Sequence, residues 1–423
     1  MTELDLEFNT LDPAVAADPY PFYRRLREAG RLLWFPMLGG RARTAVPPDE
    51  SVPGIWVVTR YEQCMALLRH EHVSSDPMKS ELFQVLMKTM LGGEETPATR
   101  LVRHLLLFMD PPDHTRLRSL ANTAFSRRAV EELRPRITEL VHDLLDGRDE
   151  IDLVGDFAYP LPVTVIAEML GVPLSDRETF SGWSRDLVDL FGTEDVSSDA
   201  AQRGNDAIVA MNEYFTELAR ERRARPREDL LTAFVEVEDQ GERLTHEELL
   251  ATCLILLIAG HETTANLIGL GTLALLRNPD VLARLREEPA LVTGAVDELL
   301  RYDSPVQATA RTTLAPIEVD GAVVPEAQRV MILLGSANRD PERFPDPDTI
   351  VPERSPNPHL SFGGGIHFCL GAPLARLEAR IAFAELVRRP LELASGDLQW
   401  RRTFPIRGLR SLPLRIGRPR QAG

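Results

Sequence analysis

A chain of 423 residues with 43% apolar and 26% charged side chains can build a sizeable core, and its formal charge of −16 argues against nucleic acid as a general partner. The opening MTELDLEFNT lacks the basic and apolar regions of a signal peptide, and the most apolar run, Leu249 to Ala259, falls short of the roughly 20 residues a bilayer requires. A cytoplasmic protein without membrane attachment is therefore expected, and Cys64, Cys253 and Cys369, odd in number and widely spaced, offer neither a disulfide framework nor zinc-ligand spacing.

No Gly/Ser linker, charge block or internal repeat divides the chain, which predicts one domain over residues 1–423. Turns at Asp12-Pro13 and Asp18-Pro19 precede a helical pattern from Tyr20 to Glu28; Ile55 to Thr59 is β-rich, and Tyr61 to Arg69 is again helical. Residues 73–108 are irregular, and their Met78, Phe83, Met87 and Met90 suit either a loop over a bulky apolar ligand or a helix packed on the core. Within DPPDHTRLR, His114 and Arg118 stand four apart on one helix face, a spacing that presents two cations to carboxylates or simply a solvated surface. Residues 130–240 read as nearly all helical, and the break at 191–199 predicts the hinge of a lid.

Thr245 opens a T-x-x-E capping box, and the helix it starts extends to about Leu276, roughly 48 Å. Its apolar middle marks a buried central helix, yet AGHETT (259–264) falls there. A buried carboxylate at Glu262 is costly, and the threonine hydroxyls can bond the carbonyl four residues back. His261 reads as a packing or solvent-facing imidazole. Glu298 and Arg301 are three apart on a further helix, a pairing common on surfaces. Ser304 to Arg311 is extended, Val330 to Leu334 is a strand, and Phe404 to Ile416 is a hairpin with its turn near Pro405-Ile406. The predicted fold class is mainly α with small β-sheets (α+β).

Phe362 to Gly371 reads FGGGIHFCLG. Its glycines allow positive φ and close approach to a flat ligand. The apolar spacing from Leu370 onward places Cys369 at or just before a helix start, where amides and dipole favour a thiolate. Phe362, Gly365, Cys369 and Gly371 fit F-x-x-G-x-x-x-C-x-G, and the run, with His367 in the place usual for soluble bacterial members, resembles the haem-binding loop of the cytochrome P-450 superfamily. AGHET likewise resembles the A-G-x-[DE]-T signature of that family's oxygen-binding helix, and ELLR its E-x-x-R pair, with Arg354 as the third partner.

The resemblance implies the cytochrome P-450 fold, with its long central helix above haem b, and Cys369 as axial iron ligand. It implies haem contacts from Phe362 and Gly371, propionate ligands at His114, Arg118, Arg311 and His367, and room above the haem at Ala259 and Gly260. It also implies an oxygen and proton relay through Thr263 and Glu262. Phe83, Met87, Leu190, Val306, Gln307 and Ile406 would line the substrate cavity. The activity implied is a monooxygenase that hydroxylates or epoxidises a mostly apolar small molecule, with a peroxide-driven peroxygenase or a haem gas sensor as alternatives. The sequence has no flavin fingerprint or iron–sulfur cysteine set, so electrons from NAD(P)H must arrive through a ferredoxin or flavodoxin and its reductase. Arg116, Arg127, Arg128, Arg376 and Arg380 predict a basic docking patch, with transfer rates that fall as salt rises, on a monomer.

Overall fold

The computed structural model describes residues 3–418 apart from 8, 10–11, 37–40, 45–53, 81–82, 85–95, 123, 192–197, 240–243, 395 and 397. Met87 and most of the expected hinge at 191–199 lie outside the described residues. The helices that position the site are α1 (Asp113–Asn122), α2 (Pro160–Met169), α3 (Arg177–Phe191), α4 (Ser198–Ala224), α5 (His246–Arg277), α6 (Val292–Tyr302) and α7 (Ala372–Leu386). The architecture is the mainly helical one with small sheets that the sequence predicts.

Helix α5 is the axis of the molecule. Its capping box forms as expected: Thr245 Oγ1 accepts from the Glu248 amide at 3.2 Å, and the Glu248 carboxylate accepts from the Thr245 amide at 2.9 Å. Two orphan donors at the helix start are thereby satisfied. The other helices wrap α5: α2, α4, α6 and α7 all pack on it, and most of its length from Leu249 to Leu275 is buried. By length and composition α5 could cross a membrane, but 67% of its most apolar window is buried inside the protein, as befits a core helix.

Strands β1 (Glu3–Glu7), β2 (Leu32–Pro36), β3 (Arg41–Thr44), β4 (Gly54–Val58), β5 (Val73–Ser74), β6 (Thr309–Thr313) and β7 (Arg329–Ile332) form one sheet in the order β1-β3-β2-β4-β7-β6-β5. The β4–β7 pair is parallel, with Val330 opposite Trp56. On its other side β7 runs antiparallel to β6, and Val330 faces Arg311. Trp34, Trp56, Val58, Ile332 and Phe344 fill one side of this sheet as a second core cluster. Each such side chain stabilises the fold by roughly 1.5–3 kcal/mol.

Two local expectations need correction, at the C-terminal hairpin and at the end of β7. The C-terminal hairpin pairs Gln399–Trp400 with Leu409–Ser411, whereas Pro413–Ile416 pairs with Leu391–Leu393 and with Glu150–Asp152 in another sheet. The apolar alternation of 404–416 spans two sheets, which periodicity cannot distinguish. Strand β7 ends at Ile332, and Leu334–Ala337 forms a helical turn. Helix α7 starts at Ala372, three residues beyond Cys369.

Candidate active site

The loop before α7 is held by its own backbone. The Cys369 amide donates to Phe362 O at 2.9 Å, and the Phe368 amide to Gly365 O at 3.2 Å. Gly363 and Gly365 have φ of 70° and 66°, and a Cβ at Gly365 would collide with the Leu68 carbonyl. Only glycine fits there. Arg376 lies 4.5 Å above the Phe362 ring. Burial pushes the Cys369 thiol up, although the Gly371 and Ala372 amides, Arg118 and Arg376 all act in the opposite direction. The amides at the helix start act toward the thiolate as the sequence reading expects, and burial opposes them.

Four nitrogen-bearing side chains converge on this loop. Arg118 on α1 donates to Phe368 O at 2.6 Å and to Asn122 Oδ1 at 3.2 Å. One turn earlier, His114 sits with its ring centroid 4.1 Å from that of His367. Both imidazole Nε2 atoms are buried without a partner. Arg311, in the middle of β6, is buried and donates only to Thr309 Oγ1 and its neighbour's carbonyl, at 3.2 and 2.8 Å. Burial lowers Arg311 to about 10, and burial with the Arg311 and His114 charges lowers His367 to about 3. Among the described residues neither arginine has a carboxylate at ion-pair distance. Such a cluster is costly as it stands and is satisfied by an anionic guest.

On α5, Thr263 Oγ1 donates to Ala259 O at 2.9 Å and Thr264 Oγ1 to Gly260 O at 3.4 Å, the back-bonding that the sequence anticipates. Ala259 is exposed in an otherwise buried stretch, with Thr263 partly so one turn on. A Cβ at Gly260 would lie 3.3 Å from Ile166 Cγ1 of α2, so the glycine also eases the approach of the neighbouring helix. Glu262 is buried, accepts from Asn266 Nδ2 at 3.1 Å and pairs with Arg401. His261 is wholly buried. Its Nδ1 lies 2.7 Å from Leu257 O, which makes it the donor, and its Nε2 accepts from Ser184 Oγ of α3 at 3.0 Å. Burial lowers its pKa, so it packs as a neutral ring edge-on to Tyr159.

Behind the loop, Glu298 and Arg301 on α6 are 0% exposed. Arg301 donates to both Glu298 oxygens at 2.7 and 2.8 Å, and Arg354 Nε reaches the same carboxylate at 3.0 Å. The Val351 amide and Asn357 Nδ2 complete its shell, and Arg301 also holds the carbonyls of Asn338, Pro347 and Thr349. The pair with Arg354 as third partner that the resemblance implies is thus present as a buried network, and it pins the segment leading into the cysteine loop.

Of the residues expected in a substrate cavity, Val306 and Ile406 bridge one another and are partly exposed. Gln307 instead turns into the scaffold, donating to Ser304 O at 2.6 Å, while Leu190 packs against Gly204 of α4 and Phe83 stacks 4.8 Å from Arg329. The basic patch is also revised. Arg116 pairs with Glu248 and Asp113, Arg128 with Glu132, and Arg376 and Arg380 both face Asp297, whereas Arg127 is exposed and has no carboxylate at ion-pair distance among the described residues. Sequence alone missed the exposed apolar tips of the cysteine loop, Ile366 at 56% and Phe368 at 42% exposure, as well as Glu378 on α7.

Glu378 is buried with no cation at ion-pair distance among the described residues, and burial, only partly offset by the Thr264 hydroxyl, raises it to about 8 from an ordinary 4.5. Because the folded value lies above the unfolded one, its contribution is fully present below about pH 4 and is lost as pH rises through about 8. The Glu378→Gln variant is therefore expected to lose less thermal stability than the unaltered protein between about pH 5 and 9, by calorimetry. Parallel profiles for the two proteins would contradict the assignment.

The cytochrome P450 family profile matches residues 195–390. Cytochrome P450 107B1 of Saccharopolyspora erythraea is 45% identical, covering 96% of this chain and 97% of its own. The monooxygenase PikC of Streptomyces venezuelae is 43% identical, covering 99% and 96%. Among solved structures, P450BioI in complex with a hexadec-9Z-enoic acid-ligated acyl carrier protein superposes with a TM-score of 0.84 at 38% identity, over 96% of this chain and all of the other.

Proposed function

The chain belongs to the cytochrome P450 family of monooxygenases, and from that premise we propose that it hydroxylates or epoxidises a mostly apolar molecule, with a long-chain acyl group as the best-supported class. The observation that carries this reading is the convergence of His114, Arg118, Arg311 and His367, without carboxylate partners, on the loop that presents Cys369. That donor set fits haem: two propionates would satisfy the orphaned nitrogens, and iron would supply a cation for the half-buried sulfur. Phe362 and Gly371 bracket the same loop. When bound, haem supplies the iron at which dioxygen is activated, using electrons relayed from NAD(P)H by a ferredoxin or flavodoxin and its reductase.

The chain's own residues do the rest. Cys369 Sγ would hold the iron as a thiolate, the ligand type that suits oxygen activation rather than reversible storage. Glu262 carries a proton from the protein interior to Thr263 Oγ1, whose own hydrogen passes on toward the reacting oxygen. The neighbour's acyl group supports the substrate class because Val306 and Ile406 present apolar side chains where the extended segment after α6 meets the C-terminal loop. An electron-donating partner docks over Ile366, Phe368 and Arg127.

The test is turnover of hexadec-9Z-enoic acid with NADPH, ferredoxin, ferredoxin reductase and isotopically labelled dioxygen. One labelled oxygen in the product is expected. Product formed at comparable rates from hydrogen peroxide without reductant would favour a peroxygenase, and neither product nor a spin-state response would overturn the acyl assignment.

A further inference from the structure

Glu262 is held from outside its own helix. Its Oε1 accepts from Asn266 Nδ2 at 3.1 Å and is paired with Arg401, while its Oε2 lies 4.0 Å from His261 Nε2. The Thr263 hydroxyl, meanwhile, donates to Ala259 O. The two members of the relay thus point to different partners, and a carboxylate so paired with a guanidinium is a poor proton donor.

Arg401 comes from a loop, 401–408, that forms one unit. The Arg401 amide donates to Gly408 O at 3.1 Å across its base, and Thr403 Oγ1 donates to Ile406 O at 2.7 Å across its tip. One side of the unit is stitched to the segment after α6: the Gln307 amide donates to Pro405 O at 2.9 Å, the Arg407 amide to Pro305 O at 2.8 Å, and Ile406 bridges Val306. The other side touches α5, where Gly408 lies so close to Asn266 that a Cβ would collide with that amide. Arg407, paired with Asp303 at 2.8 Å, anchors the whole loop.

We propose that Arg401 is a positioning residue for proton delivery: loop 401–408 carries both the cavity-wall residue Ile406 and the cation that determines whether Glu262 stays paired or turns to Thr263. The inference rests on the Glu262–Thr263 relay described above. Proton transfer requires the carboxyl to leave Arg401, take up a proton and hand it to Thr263 Oγ1. A ligand that displaces Ile406 moves the same short loop that holds Arg401. The other titratable groups around Glu262 are His261 on α5 and Tyr159 ahead of α2, the latter within the field of Arg185 on α3.

Difference infrared spectroscopy tests the pair without substrate, with the Glu262 band assigned from the E262Q variant. In R401Q the Glu262 carboxylate stretching band is expected to move in frequency as the guanidinium contact is lost, while R401K, which keeps a cationic donor, stays near the unaltered position. The catalytic arm uses haem-loaded protein, NADPH, ferredoxin and its reductase without added substrate, and reads hydrogen peroxide released per NADPH. R401Q is expected to change that ratio about threefold or more, R401K to restore it, and R401Q combined with E262Q to match E262Q alone. Identical Glu262 carboxylate bands in the two proteins, or independent effects of the two substitutions, would overturn the proposal. An E262Q ratio equal to that of the unaltered protein would instead show that the relay reading itself fails, and would remove the catalytic half of the proposal with it.

Discussion

Replacing Glu298 by alanine is expected to destabilise the protein by about 3–5 kcal/mol, a large part of the roughly 5–15 kcal/mol that holds a typical domain folded. The size follows from what the carboxylate leaves behind. Arg301 is wholly buried and Arg354 nearly so, and both donate to Glu298 together with the Val351 amide and Asn357. Without it, two desolvated guanidinium groups face each other unneutralised, a greater loss than the net worth of the pair. Glu298→Gln, which keeps an acceptor but not the charge, is expected to fall between. Chemical unfolding of the three proteins measures this, and an alanine variant within about 1 kcal/mol of the unaltered protein would contradict a buried network.

Replacing Cys369 by alanine is expected to have the opposite profile: NADPH-driven turnover is abolished while stability changes by about 1 kcal/mol or less. The loop is held by main-chain bonds, from the Cys369 amide to Phe362 O and the Phe368 amide to Gly365 O, and these do not need the thiol. Helix α7 starts three residues later and is unaffected. The four propionate candidates remain in place, so haem is retained at reduced affinity but without its axial sulfur. Unfolding curves and turnover on the same preparation separate the two effects. Turnover comparable to that of the unaltered protein would remove Cys369 from the chemistry.

The contrast shows what was legible in the sequence. FGGGIHFCLG, AGHETT and ELLR are short strings whose spacing already encodes a turn, a helix face or an i, i+3 pair, and local chemistry suffices to mark them. The capping box at Thr245 and the long helix α5 were readable for the same reason. What local spacing cannot carry is the direction a side chain takes in three dimensions. Arg401 meets Glu262 from 139 residues away. Gly260 admits Ile166, and Gln307 turns inward, both for reasons of packing between distant segments. The expected basic patch dissolved because Glu248 and Asp297, far off in sequence, neutralise most of its arginines. Charge counted along a chain says little about charge left over on a surface.

The central claim is that Cys369 is the thiolate ligand of a haem held by His114, Arg118, Arg311 and His367. The most direct measurement is the carbon monoxide difference spectrum of the reduced, haem-loaded protein beside that of the Cys369→Ala variant. The unaltered protein is expected to give the red-shifted band of a thiolate-ligated carbonyl, and the variant to lose it. A histidine-type carbonyl band in folded, unaltered protein, or a spectrum unchanged by the substitution, would contradict the account.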